Sequence, residues 1–181
     1  NVSPDVHEVF PTIDNPASPM RSNQVDRLWA INGGSDLPKL GKFVTDLRSK
    51  GVENVSIRYH EDFWRAGGES YTFRTIPNPD LGTERLKEYV RFVQGQDWRI
   101  GFYSNYMDFA PVNALWNEDW VRISHNDYGW GSAWCRCYAN KVTIGWEQQA
   151  LLAPQIHKTF GTNFSYCDVE TCISPMDRVD Y

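Results

Sequence analysis

No stretch of this 181-residue chain approaches the roughly 18 to 20 consecutive apolar residues that a membrane-spanning helix requires, which argues against a helical membrane protein. A basic surplus is also missing. With 18 Lys and Arg against 23 Asp and Glu the net charge is -5, which argues against a general nucleic-acid binder. Cysteine is scarce: the four fall as Cys135-x-Cys137 and Cys167-x4-Cys172, and neither pair has the C-x2-C spacing of common zinc sites. They read as buried thiols rather than as metal ligands, with a Cys137–Cys172 or similar disulfide left open for an exported protein. No H-x-H or H-E-x-x-H spacing supports a metal site built from His60, Asp62, Asp168 and Glu170. Nor is there a phosphate-binding fingerprint, since "INGGSD" lacks both G-x-G-x-x-G and G-x-x-x-x-G-K. The chain shows no signal peptide and begins at Asn1, so the expectation is a processed N-terminus or an excerpt from a longer polypeptide. The sequons at Asn1, Asn54 and Asn163 leave the compartment open, an extracellular or periplasmic one included.

Hydrophobic content of 41% and charged content of 23% describe an ordinary globular chain, of a length that suits one well-cored domain. Aromatics reach 14%, with eight Trp, a supply that can fill a core or stack on the apolar faces of sugars at the rim of a cleft.

Residues 1–25, with Pro4, Pro11, Pro16 and Pro19, read as an extended lead-in. From residue 26 to 181 a repeat of strand and helix follows. "RLWAIN" (27–32) is a short apolar run. In "SDLPKLGKFVTDLRSKG" Ser35 or Asp36 can cap a helix, Pro38 sits in its first turn, and Leu37, Leu40, Val44 and Leu47 share one face. "VENVSIRYH" (52–60) alternates as a strand, with Ser56, Arg58, His60 and Asp62 opposite its apolar face. A long loop follows, with a small hairpin at "SYTFRTI". "TERLKEYVRFVQGQ" is a second helix, capped by Thr83, and "WRIGFYSNY" (98–106) a third strand. A loop from 108 to about 140 holds Trp116, Trp120, Trp130 and Trp134. A third helix covers about 146–160, to be kinked or divided at Pro154, and "NFSYCDV" is the fourth strand.

This order predicts an α/β fold with parallel strands alternating with helices. Long loops after strands two and three, against helix-to-strand joins of two or three residues, favour a TIM-like (β/α)8 barrel over an open doubly wound sheet. A complete barrel takes about 200 to 250 residues, so four units make a partial barrel, about half. Such a half leaves two sheet edges and an apolar inner surface, which invite the remaining half or self-association.

The polar residues gather where strands end: Asn32; His60, Glu61 and Asp62 in "YHEDFW" with Trp64; Asn105, Tyr106 and Asp108 in "SNYMD"; and Asp168 with Glu170 in "SYCDVETC". In a strand Tyr166, Asp168 and Glu170 share one face, so the two carboxylates lie close enough to share a proton or a task. A carboxylate beside Cys167 and Val169 is costly to desolvate without donors; held by them, it can serve as the nucleophile of a retaining glycosidase. Asn105 and Asp108 are equally able to build a turn.

The segments "FSYCDVETCISPMDRVDY", "LRSKGVENVSIRYHEDFW" and "GFYSNYMDFAPVN" resemble the fourth, second and third strands of barrel glycoside hydrolases of the α-galactosidase and endo-α-N-acetylgalactosaminidase type. The resemblance implies an Asp nucleophile at Asp168. It implies sugar-lining roles for strand-end residues: Asp62, Asn105 and Asp108, with His60, Trp64 and Tyr106 beside them. It also implies a carbohydrate substrate and no organic cofactor. In that family the acid/base carboxylate comes from a later strand, beyond residue 181, unless Glu170 substitutes. The rival readings are a non-catalytic carbohydrate-binding or scaffold domain, with the aromatic loops as the sugar platform, and a metal-assisted hydrolase.

Overall fold

The computed structural model describes residue 4 and residues 16–60, 72–123, 129–133 and 136–169. Its centre is a four-stranded parallel sheet of β1 (Leu28–Asn32), β2 (Val55–Tyr59), β3 (Arg99–Ser104) and β6 (Phe164–Cys167), adjacent in that order. Helices α1 (Leu37–Ser49), α2 (Thr83–Gln94) and α3 (Val142–Phe160) alternate with these strands.

Local signals set most of the boundaries. Asp36 caps α1, its Oδ1 accepting from the Lys39 N–H at 3.0 Å, and Pro38 occupies the first turn, where its missing N–H costs nothing. Helix α2 begins at Thr83, but its cap is Gly82, which gives the helix no side-chain bond. Pro154 does not divide α3. Pro154 and Ala150 are both exposed, so the carbonyl that the proline leaves without a helical donor can turn to water. The helix starts at Val142, earlier than its sequence pattern suggests, and stops at Gly161, whose φ of 77° is a left-handed cap. The helix-to-strand joins, residues 50–54, 95–98 and 161–163, run from three to five residues.

The strands sort their side chains by alternation. Val55, Ile57 and Tyr59 from β2 and Ile100 and Phe102 from β3 meet Leu40 and Val44, Leu86, Val90 and Val93, and Ile156 and Phe160 from the three helices in one core. All three helices therefore cover one face of the sheet. The opposite face carries Trp29, Ile31, Arg58, Gly101, Tyr103, Phe164 and Tyr166, in matching register across the strands. Trp29 and Phe164 sit on the two outermost strands, which a flat sheet would hold about 14 Å apart. Their ring centroids are nevertheless 5.3 Å apart, edge to face. The two side chains lean towards each other over a concave surface, and Gly101, with no Cβ, lies beneath the Phe164 ring.

At the N-terminal rim the lead-in is not wholly extended. It forms a 3-10 turn at Arg21–Asn23, and the Ser56 hydroxyl donates to Gln24 Oε1 at 3.0 Å. No strand forms over 72–76, and residues 70 and 71 lie outside the described set. Among the described residues no helix is long and apolar enough to cross a membrane.

Two tyrosines in the core supply a pH handle. Tyr59 donates to the Gly34 carbonyl at 2.5 Å, and Tyr89 accepts from Asn32 Nδ2 at 3.2 Å. Burial pushes the Tyr59 phenol well above the ordinary tyrosine value of about 10, against the smaller opposing pull of Arg85. Burial likewise raises Tyr89, helped by Tyr59 and opposed by the bond from Asn32. The unfolded chain therefore releases these protons before the folded one does. Their contribution to stability is complete below about pH 10 and declines as pH rises above it. Urea titrations from pH 8 to 11 are expected to show that decline, and Tyr89→Phe to flatten it; an unchanged slope in the variant removes Tyr89 as a source.

Candidate active site

Because the sheet is parallel, the C-terminal ends of its strands form one rim, and His60, Asn105 and Asp168 each stand directly after β2, β3 and β6. Asp168 lies one residue past the end of β6 rather than within it. Its backbone N–H still donates to the Ser104 carbonyl at 2.9 Å, which keeps it tied to β3. The next residue, Val169, has φ of 59°. A β-branched residue in the left-handed region costs about 1–2 kcal/mol, and such outliers cluster at functional sites.

The half-buried Asp168 carboxylate faces the concave side. Its Oδ2 accepts from the Tyr103 hydroxyl at 2.5 Å. Tyr103 is buried within a row of rings: His60 stacks on it at 5.4 Å and 23° from β2, and Tyr166 at 5.5 Å and 28° from β6. The Arg58 guanidinium lies 4.3 Å from the Tyr166 ring centre and 5.6 Å from that of Tyr103, a cation–π arrangement. No motif marks Tyr103. The signal for it is the phase of β3, where Ile100 and Phe102 claim the helix side and leave Tyr103 to the other.

The remaining candidates separate. Asn32 is buried on the helix side with Tyr89. Asn105 and Asp108 build a turn: Asn105 Oδ1 accepts from the N–H of Met107 at 2.9 Å and of Asp108 at 3.0 Å, and Nδ2 donates to Asp108 Oδ2 at 2.6 Å. The Asp108 carbonyl accepts from the Thr72 hydroxyl. Tyr106 is buried in a second core with Phe73, Phe109 and Val121. Trp116, Trp120 and Tyr138 pack against this core, so the aromatic loop largely folds on itself around the ribbon of β4 (Asp108–Phe109) and β5 (Tyr138–Ala139). Trp130, 37% exposed, packs edge-on against Trp116 and Tyr138. Asp62, Trp64, Glu170 and Trp134 lie outside the described residues. Among the described residues no three His, Cys, Asp or Glu side chains gather as a metal site. Cys137 and Cys167 are half-buried, while Cys135 and Cys172 lie outside the described set.

Asn105→Ala is expected to cost about 2 kcal/mol, because two buried N–H groups lose their acceptor at once. Chemical denaturation measures it, and a change below 0.5 kcal/mol would show that the turn holds without the side chain.

No family model matches the chain, and no curated protein matches it in sequence. Solved structures do. The α-N-acetylgalactosaminidase NagBb of Bifidobacterium bifidum, in its GalNAc complex, matches with a TM-score of 0.68 and 14% identity over 85% of this chain and 30% of that one. Its quadruple mutant gives a TM-score of 0.70 at 14% identity over 90% and 32%. The ligand-free form gives 0.64 at 13% identity over 85% and 31%. The chain thus spans about a third of the length of that glycoside hydrolase, and at this identity what the two share is the fold.

Proposed function

We propose that the chain forms the first half of a (β/α)8 barrel in a retaining glycoside hydrolase acting on α-linked galactose-type sugars, with Asp168 as the nucleophile. The observation that carries this reading is the place of Asp168: a carboxylate at the C-terminal rim, directed to the concave face and held by a phenol. Strands adjacent in chain order, all helices on one face and a concave opposite face support the barrel. A doubly wound sheet would carry helices on both faces and reverse its strand order. N-acetylgalactosamine glycosides are the first substrates to test, since NagBb is an α-N-acetylgalactosaminidase.

In the proposed reaction an Asp168 oxygen attacks the anomeric carbon as the glycosidic bond breaks. The leaving oxygen takes a proton from a second carboxylic acid about 5 Å away across the bond. That group then removes a proton from a water that attacks the anomeric carbon, breaking its ester bond to Asp168 and releasing the sugar with its configuration retained. The second carboxylate is either Glu170 or a residue on a later strand of the complete protein. The deciding experiment is Asp168→Asn in the complete protein, assayed on 4-nitrophenyl α-N-acetylgalactosaminide and α-galactoside. Turnover like that of the wild type would remove the proposal.

A further inference from the structure

Asp168 stands where a strand becomes a loop, followed by a residue in a strained conformation, and such a backbone does not by itself fix a carboxylate. Catalytic groups need to be held within about 0.5 Å of their productive place. Tyr103 has the fixity that Asp168 lacks. It belongs to β3, which has strands on both sides, it is 4% exposed, and the rings of His60, just past β2, and of Tyr166 in β6 stack on it. Its only polar atom, the hydroxyl, meets Asp168 Oδ2.

Arg58 completes the arrangement. Its Nε is buried with no hydrogen-bond partner among the described residues, and the guanidinium lies on the tyrosine rings. A cation on the ring face draws electron density from the phenol and strengthens it as a donor to an anion.

We infer that Tyr103 is the positioning residue for the nucleophile: the row His60–Tyr103–Tyr166, backed by Arg58, fixes the phenol that sets the direction of the Asp168 carboxylate. This rests on the glycosidase reading above. Tyr103 does not touch the sugar in this scheme. Its removal should slow the attack and leave substrate binding nearly unchanged.

The test is Tyr103→Phe in the complete protein, with the 4-nitrophenyl glycoside on which the wild type is active. The expected result is a kcat lower by about 10- to 100-fold, the worth of one hydrogen bond to a charged group, with KM within about threefold and the melting temperature retained. A kcat within twofold of the wild type overturns the inference. If the variant does not fold, fluorotyrosine at position 103 gives a second readout by fluorine NMR. Its resonance is expected to move when Asp168→Asn is introduced, and a resonance that stays in place also overturns the inference. Full activity of Asp168→Asn would instead bring down the glycosidase reading, so the two failures are told apart.

Discussion

Asp168→Asn in the complete protein is expected to lower turnover of an aryl α-N-acetylgalactosaminide by at least about a thousandfold, with substrate binding preserved. An amide has the shape of the carboxylate but is a far weaker nucleophile, so the covalent step loses its attacking group while the contacts around it remain. Removal of a nucleophile commonly costs a factor of 10⁴ or more in kcat, and a thousandfold already corresponds to about 4 kcal/mol of barrier. Asp168→Gly adds a chemical signature. Azide in the vacated space can attack the anomeric carbon from the nucleophile's side, and the product should be a glycosyl azide of inverted configuration. Detection of that azide assigns the role to position 168 itself. Wild-type-like turnover in Asp168→Asn removes the assignment.

Gly101→Ala is expected to destabilise the fold by about 3 kcal/mol. A Cβ built at position 101 would stand 2.4 Å from the Phe164 carbonyl oxygen and 2.6 and 2.7 Å from two ring carbons of the same residue. The ring could swing away, but the carbonyl belongs to the backbone of the neighbouring strand, so β3 and β6 would have to part. Their pairing also carries Tyr103 beside Tyr166 and Ser104 beside Cys167, directly below Asp168. Urea denaturation reads the loss. A midpoint unchanged from the wild type would mean that the two strands part at little cost.

Elements fixed by short-range chemistry were legible in the sequence. The Asp36 cap with Pro38, the stripe of α2 and the alternation of β2 all follow from a few neighbouring residues, and the sheet keeps them. The parallel order follows from strands that alternate with helices. What escaped is decided by distant partners. The Trp-rich stretch reads as one long loop because its ribbon and second core come together only when Phe73 meets Tyr106 and Phe109. Thr83 reads as a cap because nothing local tells that Gly82 stands there instead. No motif marks the contacts of His157, whose ring bonds to Thr162 and Ser165, at 2.7 Å to the Thr162 hydroxyl and 3.0 Å to that of Ser165. In the candidate site, the position of Asp168 at a strand end and its shared face with Tyr166 were readable from alternation. The turn that Asn105 and Asp108 build was readable only as one option, although the three hydrogen bonds that form it join close neighbours. Tyr103 carries no motif, and its partner is 65 residues away.

The N-terminal rim of the sheet is stitched by side chains: Ser56 to Gln24, the Ile100 N–H to Asn163 Oδ1 at 3.0 Å, and His157 to the approach to β6. None of these stitches reaches the long segments that leave the opposite rim, over 60–82 and 105–141. Both segments instead lend anchors to the folded body, Leu81 to the main core and Phe73, Phe109 and Val121 to the second, so changes of length at that rim are borne best between these anchors.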